Sequence, residues 1–205
     1  MAKVKLTKNE LKKQHDDRKR FTRYLPTLEL KKKQLLQETV RIQQHIENLD
    51  GWLRANAAEV ESWADVFAEP TDIAAYCRVQ EVVVEQGNIA GCDIPVFREI
   101  IFAEGDYDLF TTPLWLDRGI AAVRERMSRL AERTVVERQR EIIRDETRTT
   151  VQRINLFEKV KIPQAQENIR VINIFMGDQQ TAAVVRGKIA KGKIEKKKRL
   201  AEAAG

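Results

Sequence analysis

The sequence predicts a mainly α protein: a long antiparallel two-helix coiled coil, made by N- and C-terminal helices, with a small central β-hairpin region at the bend. Three observations predict it. Apolar residues recur at alternating steps of four and three over residues 21–53, a second stretch from residue 114 onward is long enough to supply a facing helix, and β-branched runs flank a turn between them. The 4-3 spacing is typical of a coiled-coil seam, which requires a partner helix. The predicted divisions are residues 1–68, 69–112 and 113–205.

The first helix carries the clearest seam. Its intervening positions are mostly Lys, Arg, Gln and Glu, as expected of a solvated outer face. Pro26 removes one backbone hydrogen bond, so either the helix kinks there or the packing of neighbouring residues carries it through. Glu69-Pro70 is predicted to end the helix. The predicted seam residues are Phe21, Leu25, Leu28, Leu35, Ile42, Ile46 and Leu49.

The central region changes character. Apolar runs at residues 79–84 and 94–102 flank the turn-rich residues 86–91, which predicts a hairpin with its turn near Asn88. An isolated hairpin is marginal in water. It must therefore pack on the helices, on a short helix over residues 73–76, or on another subunit.

Side chains that often carry chemistry are sparse. Cys77 and Cys92 do not fall opposite each other about the predicted turn, so free thiols are expected, and two cysteines without nearby histidines make a poor zinc site. Trp52, Trp63 and Trp115 are expected near the bend, where they form either a small core or a contact surface for another subunit. No catalytic, cofactor-binding or metal-ligating residues are predicted.

The second helix has a less regular seam. Thr112-Pro113 is a good helix start, with threonine as cap and proline at the first helical position. The apolar spacing then slips twice, which in a coiled coil changes the local winding, and Pro163 falls mid-helix. The early seam positions are Leu116, Ile120, Val123, Met127 and Leu130, and the later ones include Ile154, Phe157, Ile162, Ile169 and Ile172.

The charge is concentrated at the two ends of the chain. Residues 3–33 carry twelve Lys or Arg against four acids, and residues 186–199 carry eight against one, although the whole chain has a net charge of only +6. In an antiparallel pair these basic ends meet at one tip. The tip is open to three interpretations: solvated charge, phosphate binding to nucleic acid, or contact with an acidic protein surface. No apolar run is long enough to span a bilayer, and a cytosolic location is predicted.

One enzyme motif is nearly matched. Residues 187–194 fit the spacing of a phosphate-binding loop, but Ile194 stands where that loop needs Ser or Thr for magnesium. Only eleven residues follow, too few for the helix and sheet that hold such a loop. A nucleotide site is therefore not predicted.

Residues 152–175 resemble the C-terminal signature of the D subunit of the V-type and A-type rotary ATPases. The hairpin, with Asn88-Ile89-Ala90-Gly91 followed by Ile94-Pro95, is similar to the short β-element of that family. The resemblance covers most of the chain. Its motif residues are Arg153, Asn155 and Glu158 in the first part, Pro163 after Ile162, and Glu167 and Asn168 in the last part.

The resemblance implies a central rotor shaft without catalytic groups, peripheral to a membrane on its cytoplasmic side. The implied partners are the catalytic A and B subunits at the basic tip, the F subunit, and a rotor socket subunit of C or d type above the membrane ring. A nucleic-acid-binding helical hairpin is the alternative. The residues expected to face the A/B hexamer are Lys8, Lys12, Lys13, Lys188, Lys191 and Lys193, and those expected at the F-subunit and base contact are Val82, Val84, Ile94, Val96 and Trp115.

Overall fold

A computed structural model describes residues 4–61, 73–103 and 112–203, with side chains given up to residue 199. The elements are α1 (Lys8–Glu61), α2 (Ile73–Tyr76), β1 (Val79–Ile89), β2 (Cys92–Phe102), α3 (Leu116–Leu156), a π-helical turn (Phe157–Lys161) and α4 (Ile162–Ala203). The predicted fold class is confirmed: two long antiparallel helical segments with a two-stranded hairpin between them. No helix in the described ranges is both long and apolar enough to cross a bilayer.

The structure divides into two compact units. One comprises residues 1–29 with 152–205, and the other comprises residues 30–151. Each unit contains part of both long helical segments. The sequence-predicted divisions follow secondary structure instead, and their boundaries fall in or beside residues 62–72 and 104–111, so that division stays a prediction.

The start of α1 is set by a threonine cap. The backbone N–H of Glu10 donates to Thr7 Oγ1 at 3.3 Å, which satisfies one of the amides that a helix leaves unpaired at its first turn. Pro26 lies within the continuous helix. The predicted stop at Glu69-Pro70, like Trp63, lies outside the described residues.

Among the described residues of the unit 30–151, apolar side chains form two clusters. The larger one joins α1, α3 and the hairpin: Leu35, Ile42, Ile46, Leu49, Cys92, Ile94, Val136 and Ile143. The smaller one joins the beginning of α3 to α2 and the residue that follows it: Cys77, Leu116 and Ile120, with Ile73, Tyr76, Trp115, Val123 and Met127 around them. The hairpin thus packs on the helices of its own chain, which is what stabilises a two-stranded sheet in water.

The hairpin turn is tighter than predicted. The strands pair antiparallel from Val79 opposite Phe102 to Ile89 opposite Cys92, so the turn is Ala90-Gly91 and the prediction near Asn88 was wrong. Both turn residues have positive φ, 51° and 78°, as a two-residue hairpin turn of type I′ requires. Asn88, which lies in β1, stabilises the turn because its side-chain oxygen accepts a hydrogen bond from the Gly91 N–H at 3.0 Å.

Two other boundaries differ from expectation. α3 begins at Leu116 rather than at Pro113, and the Leu116 N–H donates to the Pro113 carbonyl at 3.0 Å. α4 continues to Ala203 through Gly187 and Gly192, so the segment that resembled a phosphate-binding loop is helical. A helix interior cannot provide the cradle of backbone amides that such a loop offers to phosphate.

Candidate interaction surfaces

The helix pairing in residues 30–151 is antiparallel, as side-chain contacts between α1 and α3 establish. Lys31 Nζ lies 2.6 Å from Glu146 Oε1, and His45 Nε2 lies 3.0 Å from Glu132 Oε1. Farther along α1, Asp50 accepts a hydrogen bond from Arg133. From the Lys31–Glu146 contact to the His45–Glu132 contact, position numbers rise on α1 as they fall on α3, and farther on Arg126 of α3 reaches Leu53 of α1. The predicted seam residues of α1 in this unit, Leu35, Ile42, Ile46 and Leu49, are all buried.

Arginine side chains occupy seam positions near the start of α3. Arg126 donates to the Leu53 carbonyl and to Asn56 Oδ1, both at 3.2 Å, and the Arg129 guanidinium lies 5.6 Å from the centre of the Trp52 ring. With Arg133, these residues follow the 3-4 spacing of a seam. The spacing continues without a slip to the end of α3 through Val136, Arg140, Ile143, Thr147, Thr150, Ile154 and Phe157, all of which are buried or half-buried.

The first predicted slip in the apolar spacing, between Leu130 and Val136, is therefore wrong, because the observed seam is continuous there. Leu116, Ile120, Val123 and Met127 form or surround the smaller cluster with α2. Leu130, predicted to lie on the seam, is 43% exposed. The interpretation failed because it followed only apolar residues, whereas long arginine stems can cover a helix surface while the charged end reaches a polar partner.

The hairpin presents one set of residues to the helices and another to solvent. Ile94 is 4% exposed within the larger cluster, Val96 packs against that cluster, and Gln139 Nε2 donates to the Pro95 carbonyl at 2.5 Å. Val82 and Val84 are exposed. Of the residues expected at an F-subunit contact, Ile94 is therefore occupied by intrachain packing, as are Val96 and Trp115 in part, whereas Val82 and Val84 are accessible.

Both cysteines are free thiols, and they lie in separate clusters. Cys92 pairs with Ile89 next to the turn, and Cys77 precedes β1. Burial raises the pKa of both thiols above the ordinary value. The Arg124 guanidinium opposes that rise in the pKa of Cys77, and the same side chain donates to the Tyr76 carbonyl at 2.7 Å.

In the unit of residues 1–29 with 152–205, α1 again runs antiparallel to its partner. The rings of Phe21 and Phe157 are 5.1 Å apart, and Asn168 Nδ2 donates to Gln14 Oε1 at 3.2 Å. Of the predicted seam residues here, Ile154, Ile169 and Ile172 are buried, and the half-buried ones are Phe21, Leu25, Leu28, Phe157 and Ile162.

A π-helical turn over Phe157–Lys161 was not predicted. The Ile162 N–H donates to the Phe157 carbonyl, five residues back instead of four. Its effect is visible in the seam, where the step from Phe157 to Ile162 is five residues and the steps on either side alternate regularly. The second predicted slip in the apolar spacing is therefore explained by one extra residue in the π-turn. The five-residue step beside Pro163 was the available sequence signal.

The motif residues of the 152–175 segment lie within the π-turn or on either side of it. Arg153, Asn155, Glu158 and Pro163 are exposed, and Asn168 is the half-buried member that reaches α1. Glu167 accepts two hydrogen bonds from Arg170, at 2.7 and 2.9 Å, and these bonds lower the pKa of the Glu167 carboxyl. The motif thus combines a buried apolar side with an outward polar side.

The basic residues expected at the tip are all exposed: Lys8, Lys12, Lys13, Lys188, Lys191 and Lys193. Within the described parts of the chain, no group of three or more His, Cys, Asp or Glu side chains is placed to hold a metal ion. Together, the paired helices, the docked hairpin and the exposed lysines define a coiled-coil hairpin protein with basic residues on its outside.

Comparison with known proteins gives the family. The family model described as the ATP synthase D subunit matches residues 10–192. The V-type ATP synthase D subunit of Borreliella burgdorferi is 46% identical over 202 residues, which is 97% of this chain and 98% of that protein. The proteins of the same name from Chlamydia caviae and Chlamydia pneumoniae are 33% and 32% identical over at least 95% of each chain. The chain therefore belongs to the ATP synthase D-subunit family.

Proposed function

We propose that this chain is the central-stalk rotor subunit of a V- or A-type ATPase or ATP synthase, which transmits torque between the catalytic A/B hexamer and the membrane ion-translocating ring. The observation that carries the proposal is the antiparallel pairing of long helices, with Lys31 against Glu146 in one unit and Gln14 against Asn168 in the other. The family membership supports the same assignment.

Paired helices suit a part that must resist twisting and bending. Deforming one helix of a coiled coil disturbs a close-packed seam, whose side chains have little room to relax. The contacts of Arg126 and Arg133 add directional links between α1 and α3. The role is mechanical and non-catalytic and uses no cofactor, so the isolated chain is expected to hydrolyse no ATP.

The proposed partners follow the exposed surfaces. The basic residues of α1 and α4 face acidic or polar lining of the A and B subunits, the F subunit binds at the hairpin, and a C- or d-type socket subunit lies above the membrane ring. The protein is held at the cytoplasmic side of the membrane through these subunits, with neither direct insertion nor nucleic-acid binding.

Isolation of the tagged chain from native membranes tests the assignment. The A, B and F subunits are expected in the purified complex, and their absence, together with recovery of salt-sensitive nucleic acid, would favour the alternative of a nucleic-acid-binding protein.

Charge reversal tests the basic tip. Replacing Lys188, Lys191 and Lys193 by Glu should reduce ATP-driven ion pumping or assembly of the complex. A matched control reverses Arg118, Arg144 and Arg148, which are also exposed but lie on α3. Pumping that is unchanged by the tip substitutions would refute the role assigned to these lysines.

The hairpin contact requires point substitutions. Deletion of residues 79–102 would remove Cys92 and Ile94 and uncover their apolar partners on α1 and α3, so loss of the F subunit would have two explanations. Val82→Ser with Val84→Ser changes exposed side chains only, and Val40→Ser on α1 is the matched control because Val40 is also exposed. The F subunit should be lost with the hairpin variant alone; its retention would place the contact elsewhere.

A further inference from the structure

α4 carries two apolar stripes. The stripe that packs towards α1 consists of buried or half-buried residues: Ile162, Ala165, Ile169, Ile172 and Met176. A second stripe is displaced from the first by one residue around the helix. It contains Val171, Phe175, Val185 and Ile189, and all four are exposed.

The π-turn decides which stripe faces α1. From Phe157, the observed step of five leads to Ile162 and then along the first stripe. An unbroken α-helix would continue from Phe157 by steps of four and three to Lys161, Gln164, Asn168, Val171, Phe175 and Asp178, and then to Ala182, Val185 and Ile189. The second stripe is therefore the seam that the same helix would present if the extra residue were absent from the turn.

Pro163 accounts for the position of the π-turn in the helix. Proline has no N–H and its ring clashes with the carbonyl four residues earlier, so an unbroken helix through this position is disfavoured. Pro163 lies one residue after Ile162, whose N–H bonds five residues back to the Phe157 carbonyl, so the four-residue hydrogen-bond ladder is already interrupted where the proline cannot donate. The proline favours the present register.

The surroundings of the turn leave space for another arrangement. A cavity of about 440 Å³ lies between the start of α1 and this part of the second segment. Lys161, Gln164 and Asn168, which an unbroken helix would place at seam positions, already line the cavity, as does Phe21, and Asn168 already bonds to Gln14 of α1. No large rearrangement of α1 is needed to receive them.

We propose that α4 has two packing registers against α1, and that the π-turn Phe157–Lys161 is the one-residue insert that switches between them. Conversion of the turn to α-helix rotates α4 by about 100° and moves it by about 1.5 Å along its axis. The present register is the ground state because it places Ile162, Ala165 and Ile169, rather than Lys161, Gln164 and Asn168, at the seam positions that are covered by α1. A partner that binds one register more tightly shifts the population, in proportion to that difference in affinity. The inference concerns the chain alone and does not depend on the proposed function.

Cysteine reactivity in the full-length chain tests the two registers. Val171→Cys and Ile172→Cys are made separately, and peptide-level mass spectrometry follows alkylation of each new thiol apart from Cys77 and Cys92. In the parent chain the thiol at position 171 should react faster, since Val171 is 40% exposed and Ile172 is fully buried.

Pro163→Ala should then change the two rates in opposite directions. The substitution removes the proline penalty from the unbroken helix, so alkylation at position 172 should accelerate by about 10-fold to 100-fold while alkylation at position 171 slows. Pro26→Ala is the matched control, because Pro26 lies in a continuous α-helix and should leave the ratio of the rates unchanged.

Deletion of Val160 provides the second variant. It removes the insert and leaves the first stripe facing α1 through an unbroken helix, so alkylation at position 172 should become slower than in the parent chain. Circular dichroism checks that each variant is folded. An unchanged rate ratio in Pro163→Ala, or equal acceleration at both positions, would overturn the proposal even if the deletion variant did not fold.

Discussion

Replacement of Thr150 by valine should stabilise the protein. Thr150 is fully buried, and its hydroxyl has no hydrogen-bonding partner among the described residues. A buried polar group without a partner costs about 1–3 kcal/mol. Valine has nearly the same shape and the same β-branching, so it removes the hydroxyl without changing the rotamer restriction in a helix.

The expected gain in the free energy of unfolding for Thr150→Val is about 1–2 kcal/mol, taken from the lower part of that range because a hydroxyl can find partial compensation. For a chain of this size each kcal/mol raises Tm by about 2–4 °C. Thermal and urea unfolding of the full chain, followed by far-UV circular dichroism, would measure both quantities.

Thr147→Val is the matched control. Thr147 lies on the same helix, and its hydroxyl donates to the Ile143 carbonyl at 2.7 Å. The same substitution there loses a hydrogen bond and should lower the free energy of unfolding by about 0.5–1 kcal/mol. If Thr150→Val were no more stable than the parent chain, the hydroxyl would have a partner in solution and the reasoning would fail.

Three further predictions use single side chains. Gly87→Ala should lower the free energy of unfolding by about 1–3 kcal/mol, because an added Cβ would lie 2.7 Å from a methyl group of Val96. A melting temperature equal to that of the parent chain would contradict this prediction. Gly51→Ala should stabilise α1 by about 1 kcal/mol, since an added Cβ there meets no atom within 4 Å, and a lower Tm would show that the site is not open. Cys77 and Cys92 should be alkylated slowly at neutral pH in the folded chain and rapidly in urea, because burial and a raised pKa keep both thiols protonated; fast native labelling would disagree.

Much of the fold could be predicted because apolar spacing is a direct consequence of helix geometry. Leu35, Ile42 and Ile46 follow the seam spacing and are buried, and the short helix expected over residues 73–76 is α2. A helix that pairs along one side must repeat its apolar residues at the period of that contact. The apolar spacing therefore indicates that the helix is paired, even before its partner helix is identified.

What could not be predicted involves residues whose role depends on the partner. Arg126 and Arg133 belong to the seam only because a carbonyl, an amide and a carboxylate of α1 lie within reach. Gly87, which suggested a turn, is instead a strand residue that lets the side chain of Val96 approach closely. Alanine at position 90 gives no signal for a positive φ, since it rarely adopts one.

The sequence was least informative about which strand residues are exposed. Ile94 and Val82 are both apolar strand residues, but one is buried against the helices and the other is exposed. Alternation along a strand separates two faces and does not say which of them the rest of the chain covers. Only the packing of the hairpin resolves this point.

The unit of residues 1–29 with 152–205 is made of two segments that are far apart in the sequence, which has a consequence for synthesis of the chain. Gln14 and Asn168, which bond to each other, are separated by 154 positions in the sequence. On the ribosome, where domains fold as the chain emerges, the beginning of α1 must wait for the last part of the protein before Phe21 can pack against Phe157. Nascent chains are therefore expected to need protection of this leading segment until translation is nearly finished.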